Sequence, residues 1–167
     1  MGVELGKEYD IGNWMHLVNR VKENFPGLET KDALDEHRDT VLDFMRKGRA
    51  ICAKNEEEIV GVLLFSINPN ILCFLAVDVE YRRKHIAERM VSYMLTCMDP
   101  KSKVVVTTYR EGVQEGVAAR AFYKRMGFVE GRLTEEFGSP VQEFVLVRPD
   151  PEHRSFGARD SLFRTEA

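Results

Sequence analysis

Apolar residues between Ile11 and Phe25 fall at positions 11, 14, 18, 21 and 25, the stripe of an amphipathic helix that Phe25-Pro26-Gly27 closes. A second stripe, Leu34, Val41, Leu42 and Met45, predicts a helix over 32–47, with Thr30 or Asp32 as N-cap and Gly48 as its stop. From Arg49 the period changes. Ala50 to Ala53 and Ile59 to Phe65 read as strands joined by the polar turn Lys54 to Glu58. Asn68-Pro69-Asn70 marks another turn, and Ile71 to Val77 is a nearly continuous apolar run, expected in the middle of a sheet and covered on both faces.

The next helix repeats its apolar positions at Ile86, Met90, Met94 and Met98, with Ala87, Val91 and Leu95 alongside, and Asp99-Pro100 ends it. Lys103 to Thr108 is a short β-branched strand reached through that helix, so it should lie parallel to the strand before it, with a right-handed crossover. Gly116 to Met126 predicts the last helix, stopped at Gly127. Phe128 to Leu133 and Val141 to Val147 then form a closing antiparallel pair around a turn spanning 135–140. The expected fold is a mixed α/β sheet, antiparallel outside with a parallel pair at its centre. One domain over 1–148 and an irregular, polar tail over 149–167 complete the expectation.

With 44% hydrophobic and 31% charged residues, the chain can bury a substantial core. The formal charge of −3 gives no general case for nucleic acid. No apolar run approaches the length of a membrane span and the N-terminus lacks a signal core, so a cytoplasmic, membrane-free protein is expected. Cys52, Cys73 and Cys97 read as buried thiols of a reducing compartment, without a disulfide. His16, His37, His85 and His153 show no ligand spacing, and neither a Gly-x-Ser-x-Gly elbow nor a Gly-x-x-x-x-Gly-Lys-Ser/Thr loop occurs. No metal is therefore expected.

The chemistry-bearing stretch is Leu72 to Met90, where an apolar strand runs into the basic turn Arg82-Arg83-Lys84 and the turn opens a helix. Such a turn directs unpaired amides and the positive end of a helix dipole at one point, with cations around it. It is a seat for phosphate.

Arg82-Arg83-Lys84-His85-Ile86-Ala87 resembles the Gln/Arg-x-x-Gly-x-Gly/Ala segment of the GCN5-related N-acetyltransferases, with His85 at the first glycine. Ala121-Phe122-Tyr123-Lys124-Arg125-Met126-Gly127-Phe128 resembles the same family's Tyr-x-x-x-Gly-Phe segment. The resemblance covers residues 49–147 well and the first 48 in outline. It implies a fold of about seven strands and four helices that uses acetyl-CoA as cosubstrate.

It further implies that Arg82, Arg83, Lys84, His85, Ile86 and Ala87 wrap the pyrophosphate. Leu75, Ala76 and Val77 would run beside the pantetheine arm, in a V opened by a bulge. Gly116 stands where relatives often place an asparagine on that arm, Ala119 and Phe122 would also line the cofactor, and Lys124 and Arg125 would reach the 3′-phosphate. The Val77 amide would polarise the acetyl carbonyl, and the Tyr123 phenol would protonate the departing sulfur.

An alkylamine acceptor, with a pKa near ~10.4, needs help to lose its proton. Relatives carry a carboxylate on the central strand where this chain has Ile71 and Cys73, which leaves Glu111, Glu136 and Tyr109 as candidates. The first two helices would cover the acceptor groove, with Glu29, Asp32, Asp35, Glu36 and Arg38 bearing on substrate choice. His85 is expected to be a tolerated substitution, because a helical backbone does not itself demand glycine. The resemblance thus implies acetyl transfer to a small-molecule or peptide amine, and a homodimer is the assembly that symmetry favours for such a chain. A non-catalytic module that binds coenzyme A or a protein surface on the same fold is the alternative.

Overall fold

The structure, a computed structural model, describes residues 1–149. The expected tail falls almost wholly outside that range. Seven strands form one mixed sheet: β1 (Gly2–Leu5), β2 (Ala50–Asn55), β3 (Glu58–Ser66), β4 (Asn70–Val77), β5 (Val104–Tyr109), β6 (Val129–Glu136) and β7 (Ser139–Leu146). Their order is β1-β2-β3-β4-β5-β7-β6, and β4–β5 is the parallel pair. The fold class is the one the sequence implies.

Among the described residues four helices cover the sheet: α1 (Ile11–Val21), α2 (Lys31–Arg46), α3 (Ile86–Cys97) and α4 (Val117–Arg125). The apolar run of β2 resolves into period-two alternation once both faces are seen, and that of β3 does so on either side of Val60, the extra residue where the pairing slips from Gly61–Ala53 to Ile59–Lys54. Ile51, Ala53, Val60, Leu63 and Phe65 join the core under α3, whereas Ala50, Cys52, Ile59, Val62 and Leu64 join the core under α1 and α2. Ile86, Met90, Met94 and Met98 are buried as a stripe, each worth about 1.5–3 kcal/mol relative to exposure. Trp14, the only tryptophan, is fully buried under α1.

Several expectations are corrected. The first helix ends at Val21 and continues only as a 3₁₀ turn, Lys22–Asn24. Strand β1 escaped the periodicity because its four residues gain meaning only on pairing with β2. The last hairpin turns tightly at Phe137 and Gly138, both at positive φ, so its strands run longer than predicted. Of the three cysteines, all free, only Cys52 is buried, and burial pushes its thiol up to about 12. Cys97 is half-buried and Cys73 is exposed.

Candidate functional site

The site begins at a fault in β4. Leu64 pairs with Phe74 and Phe65 with Leu72, so Cys73 is an extra residue bulged out of the ladder. The bulge reverses the strand's facing. Leu72 packs under α3, and beyond the bulge Phe74 and Ala76 face α1 and α2 while Leu75 and Val77 face α3. It also ends the parallel pairing, because β4 and β5 are bonded only over Asn70–Leu72 and Val104–Val106. Past that point the two strands part, and a cleft of about 1710 Å³ opens between them.

Amides alternate along a strand. Asp78 N donates to Val60 O at 2.8 Å, toward β3, so the Leu75 and Val77 amides point the other way, into the cleft. A strand edge in that state needs a partner.

At one end of the cleft lies the basic turn, held from behind. The Arg20 guanidinium meets Asp78 Oδ2 at 2.5 Å, Asp78 Oδ1 accepts from Glu80 N at 3.1 Å, and Asn55 Nδ2 donates to Tyr81 Oη at 3.1 Å. The first helical bond of α3 is Arg89 N to His85 O, 3.0 Å, so the Ile86, Ala87 and Glu88 amides have no intrahelical partner. These donors and the N-terminal dipole fit a diphosphate.

Arg83 and His85 have φ of 62° and 61°. The expectation for His85 is therefore corrected: the residue is not helical but left-handed, where a side chain costs about 1–2 kcal/mol. That is the physical reason for glycine at this place in the motif. His85 Nδ1 lies 3.1 Å from Glu88 Oε2, both exposed, which offsets little. His85→Gly should accordingly raise stability by about 0.5–1 kcal/mol after the larger chain entropy of glycine is deducted, read as a higher urea midpoint at unchanged m. A midpoint that falls would show that the imidazole makes a compensating contact.

Across the cleft stands α4, ended by a Schellman motif: Phe128 N donates to Tyr123 O at 2.9 Å and Gly127 N to Lys124 O at 3.0 Å, with Gly127 at φ 95°. This accounts for the Tyr-x-x-x-Gly-Phe spacing, since the left-handed residue must be a glycine and the apolar residue after it folds back on the helix. The Tyr123 ring packs among Phe122, Phe128 and Phe144 at centroid distances of 5.4, 5.6 and 6.1 Å. Burial raises its phenol above the ordinary range. The hydroxyl has no partner among the described residues, yet it is not sealed from solvent, and the residue lines the cleft.

Arg120, which sequence reasoning passed over, aims this helix. From a buried position its Nη1 donates to Tyr109 O and Gln142 Oε1 at 2.9 and 2.8 Å, and its Nη2 to Glu130 at 2.9 Å. Only the helical period, which places it one turn before Tyr123, hinted at it.

Leu75, Ala76, Val77, Arg82, Arg83, His85, Ile86, Ala87, Ala119, Phe122, Tyr123 and Arg125 all line this cleft. Lys84, Gly116 and Lys124 do not. Lys84 sits over the Tyr81 ring, and Lys124 is held by Glu130 at 2.7 Å. A Cβ at Gly116 would overlap the Tyr109 side chain, so glycine here is a packing requirement and an asparagine could not simply be restored.

Of the candidate proton acceptors, Tyr109 and Glu136 line the cleft and Glu111 does not. Glu136 Oε1 accepts from Thr107 Oγ1 at 2.8 Å, and Tyr109 Oη donates to Asn24 O at 3.2 Å. Although part of Cys73 is open to solvent, desolvation raises its thiol, with Ser66 opposing the shift and the Glu136 charge adding to it. Among the described residues no cluster of histidine, cysteine or acidic side chains could hold a metal, and no helix is long and apolar enough to cross a membrane.

A family model described as an acetyltransferase (GNAT) domain matches residues 46–130, half of the chain. Among solved structures, a GNAT-family acetyltransferase from Bacillus cereus is 21% identical at a TM-score of 0.70, covering 89% of this chain and 98% of its own. An N-acetyltransferase from Staphylococcus aureus is 14% identical at 0.70, covering 87% and 100%. A ribosomal-protein-alanine N-acetyltransferase from Brucella melitensis is 16% identical at 0.69, covering 88% and 99%. At these identities the likeness is one of fold. A search of curated protein sequences gives no match.

Proposed function

The chain belongs to the acetyltransferase (GNAT) family, and from that premise we propose that it moves the acetyl group of acetyl-CoA directly to an amine, carried by a small molecule or a peptide. The observation that carries this reading is the parted β4–β5 pair. Its inward amides lie between an anion seat at the start of α3 and a phenol on α4. Arg82, Arg83 and the first amides of α3 would hold the diphosphate, and the free edge of β4 at Leu75 would pair with the pantetheine amides, leaving the Val77 amide for the acyl group. Bound acetyl-CoA supplies an acyl group activated as a thioester.

The Val77 amide donates to the acyl oxygen as charge develops there, and costs no reorganisation because the strand already holds it. The Tyr123 hydroxyl gives its proton to the sulfur as the carbon–sulfur bond breaks. The attacking nitrogen sheds one proton before attack, on the side of the cleft where Glu136 and Tyr109 stand. Its next proton restores the tyrosine hydroxyl. In sum an ammonium and a thioester become an amide, a thiol and one released proton.

The test is thermal unfolding with and without acetyl-CoA, followed by thioester cleavage against a panel of amines. At a hundred times its Kd the cosubstrate should add about 2.7 kcal/mol, a rise of roughly 5–10 °C for a chain of this size. An unchanged midpoint at millimolar acetyl-CoA would remove the reading. A shift without turnover on any amine would favour a module that binds coenzyme A and has lost chemistry, a reading to which the apolar β4 lends weight.

A further inference from the structure

The two ends of the cleft belong to opposite faces of the sheet. The anion seat opens α3, which packs on one face, while the cleft continues past β4 to the face covered by α1 and α2. Acetyl-CoA entering from the first side leaves the second for the acceptor. That second wall is aromatic. Phe74, from the bulged strand, lies 4.5 Å from the Phe25 ring and 4.9 Å from the imidazole of His37 on α2. All three are half-buried, so the stack keeps an open face on the cleft, with Leu28 and Phe44 continuing the apolar surface.

Within this stack His37 Nε2 is shielded from solvent and has no hydrogen-bond partner. A buried polar atom in that state carries a free-energy cost, which is smallest when the ring is neutral and behaves as an apolar, stacking surface. Desolvation lowers the imidazole's pKa and favours its neutral form. The titratable groups lining the same cleft on the acceptor side are Glu36, Cys73, Tyr109, Glu115 and Glu136, and none of them shifts His37. A polycation would meet carboxylates only around an apolar floor, whereas a planar ring would cover the stack.

Resting on the acetyl-transfer reading, we propose that the acceptor is a primary amine joined by a short aliphatic spacer to an aromatic body, seated on Phe25, Phe74 and His37. Phe74 precedes Val77 by three residues, about 10 Å of strand, which the spacer and ring would span. Stacking on such a wall favours a ring over an open chain by about tenfold.

The probes are 2-phenylethylamine and putrescine, each with acetyl-CoA and the full chain. Acetylation of 2-phenylethylamine should proceed with a kcat/KM about tenfold above that of putrescine. Phe74→Leu, which keeps apolar volume and removes the ring, should bring the two within about twofold while acetyl-CoA still raises the unfolding temperature. A second measurement needs no turnover: the His37 imidazole resonances of the unmodified protein should shift on adding 2-phenylethylamine and stay still with putrescine. Putrescine serving as well as the aromatic amine, a preference that survives Phe74→Leu, or no shift at His37 would each overturn the assignment. Failure of acetyl-CoA to stabilise the protein would instead strike the acetyl-transfer reading, leaving the resonance shift as a separate result.

Discussion

Tyr123→Phe is expected to lower kcat by about 10²–10³ while the Kd for acetyl-CoA stays within about twofold. The substitution removes one hydroxyl and leaves the ring that packs against Phe122, Phe128 and Phe144. The fold should therefore hold, with the unfolding midpoint shifted by no more than a few degrees. The direction of the phenol's pKa sharpens the expectation. Burial raises it, so the hydroxyl stays protonated through neutral pH and above, and an alkaline fall in wild-type rate would not come from Tyr123. A raised pKa makes the phenol a weaker acid in isolation. On the proposed mechanism the thiolate would form in the same desolvated corner, which would raise the basicity of the sulfur in the same sense, so the proton need not move far uphill. Steady-state kinetics beside calorimetric binding separate the outcomes: equal losses in kcat and affinity would mean that the hydroxyl positions the cosubstrate, and no loss would remove it from the reaction.

What the sequence made legible was whatever is set within a few residues. The helical stripes announced themselves, and so did the spacing from Tyr123 to Gly127, because a Schellman motif is a local geometry with a local composition. The basic turn was visible for the same reason: an N-terminus of α3 directly after three cations is a short-range fact. The features that shape the cleft are set between elements distant in the chain. Cys73 is a bulge only in relation to the register of β3, and nothing in the apolar run of β4 distinguishes it. His85 is an ordinary residue until the turn forces a left-handed backbone on it. Gly116 gains its meaning from Tyr109, and His37 from Phe74, which another helix and the sheet bring beside it. The aromatic wall proposed for the acceptor was hidden because Phe25 and Phe74 read as core residues, and only the parting of β4 from β5 leaves them facing a cleft.

Ala87→Trp should abolish acetyl-CoA binding, with affinity falling by about 10²–10³ or more, because it acts on the one feature that every other part of the mechanism presumes. Ala87 is the second residue of α3, half-buried on the cleft wall, and its amide is one of the three at the helix start without an intrahelical partner. A methyl group there lets an anion come within hydrogen-bond distance of those amides, and an indole would occupy the approach. Hydrogen bonds to a charged group contribute about 1.5–3 kcal/mol each, so denying two of them accounts for a loss of this size. The helix itself should survive, since tryptophan costs well under 1 kcal/mol more than alanine in a helix and this side chain would point toward open cleft. The free protein's unfolding temperature should consequently stay close to wild type while the rise on adding acetyl-CoA disappears. Wild-type affinity in this variant would mean that the diphosphate lies elsewhere, and the assignments of Val77 and Tyr123, which are measured from that seat, would have to move with it.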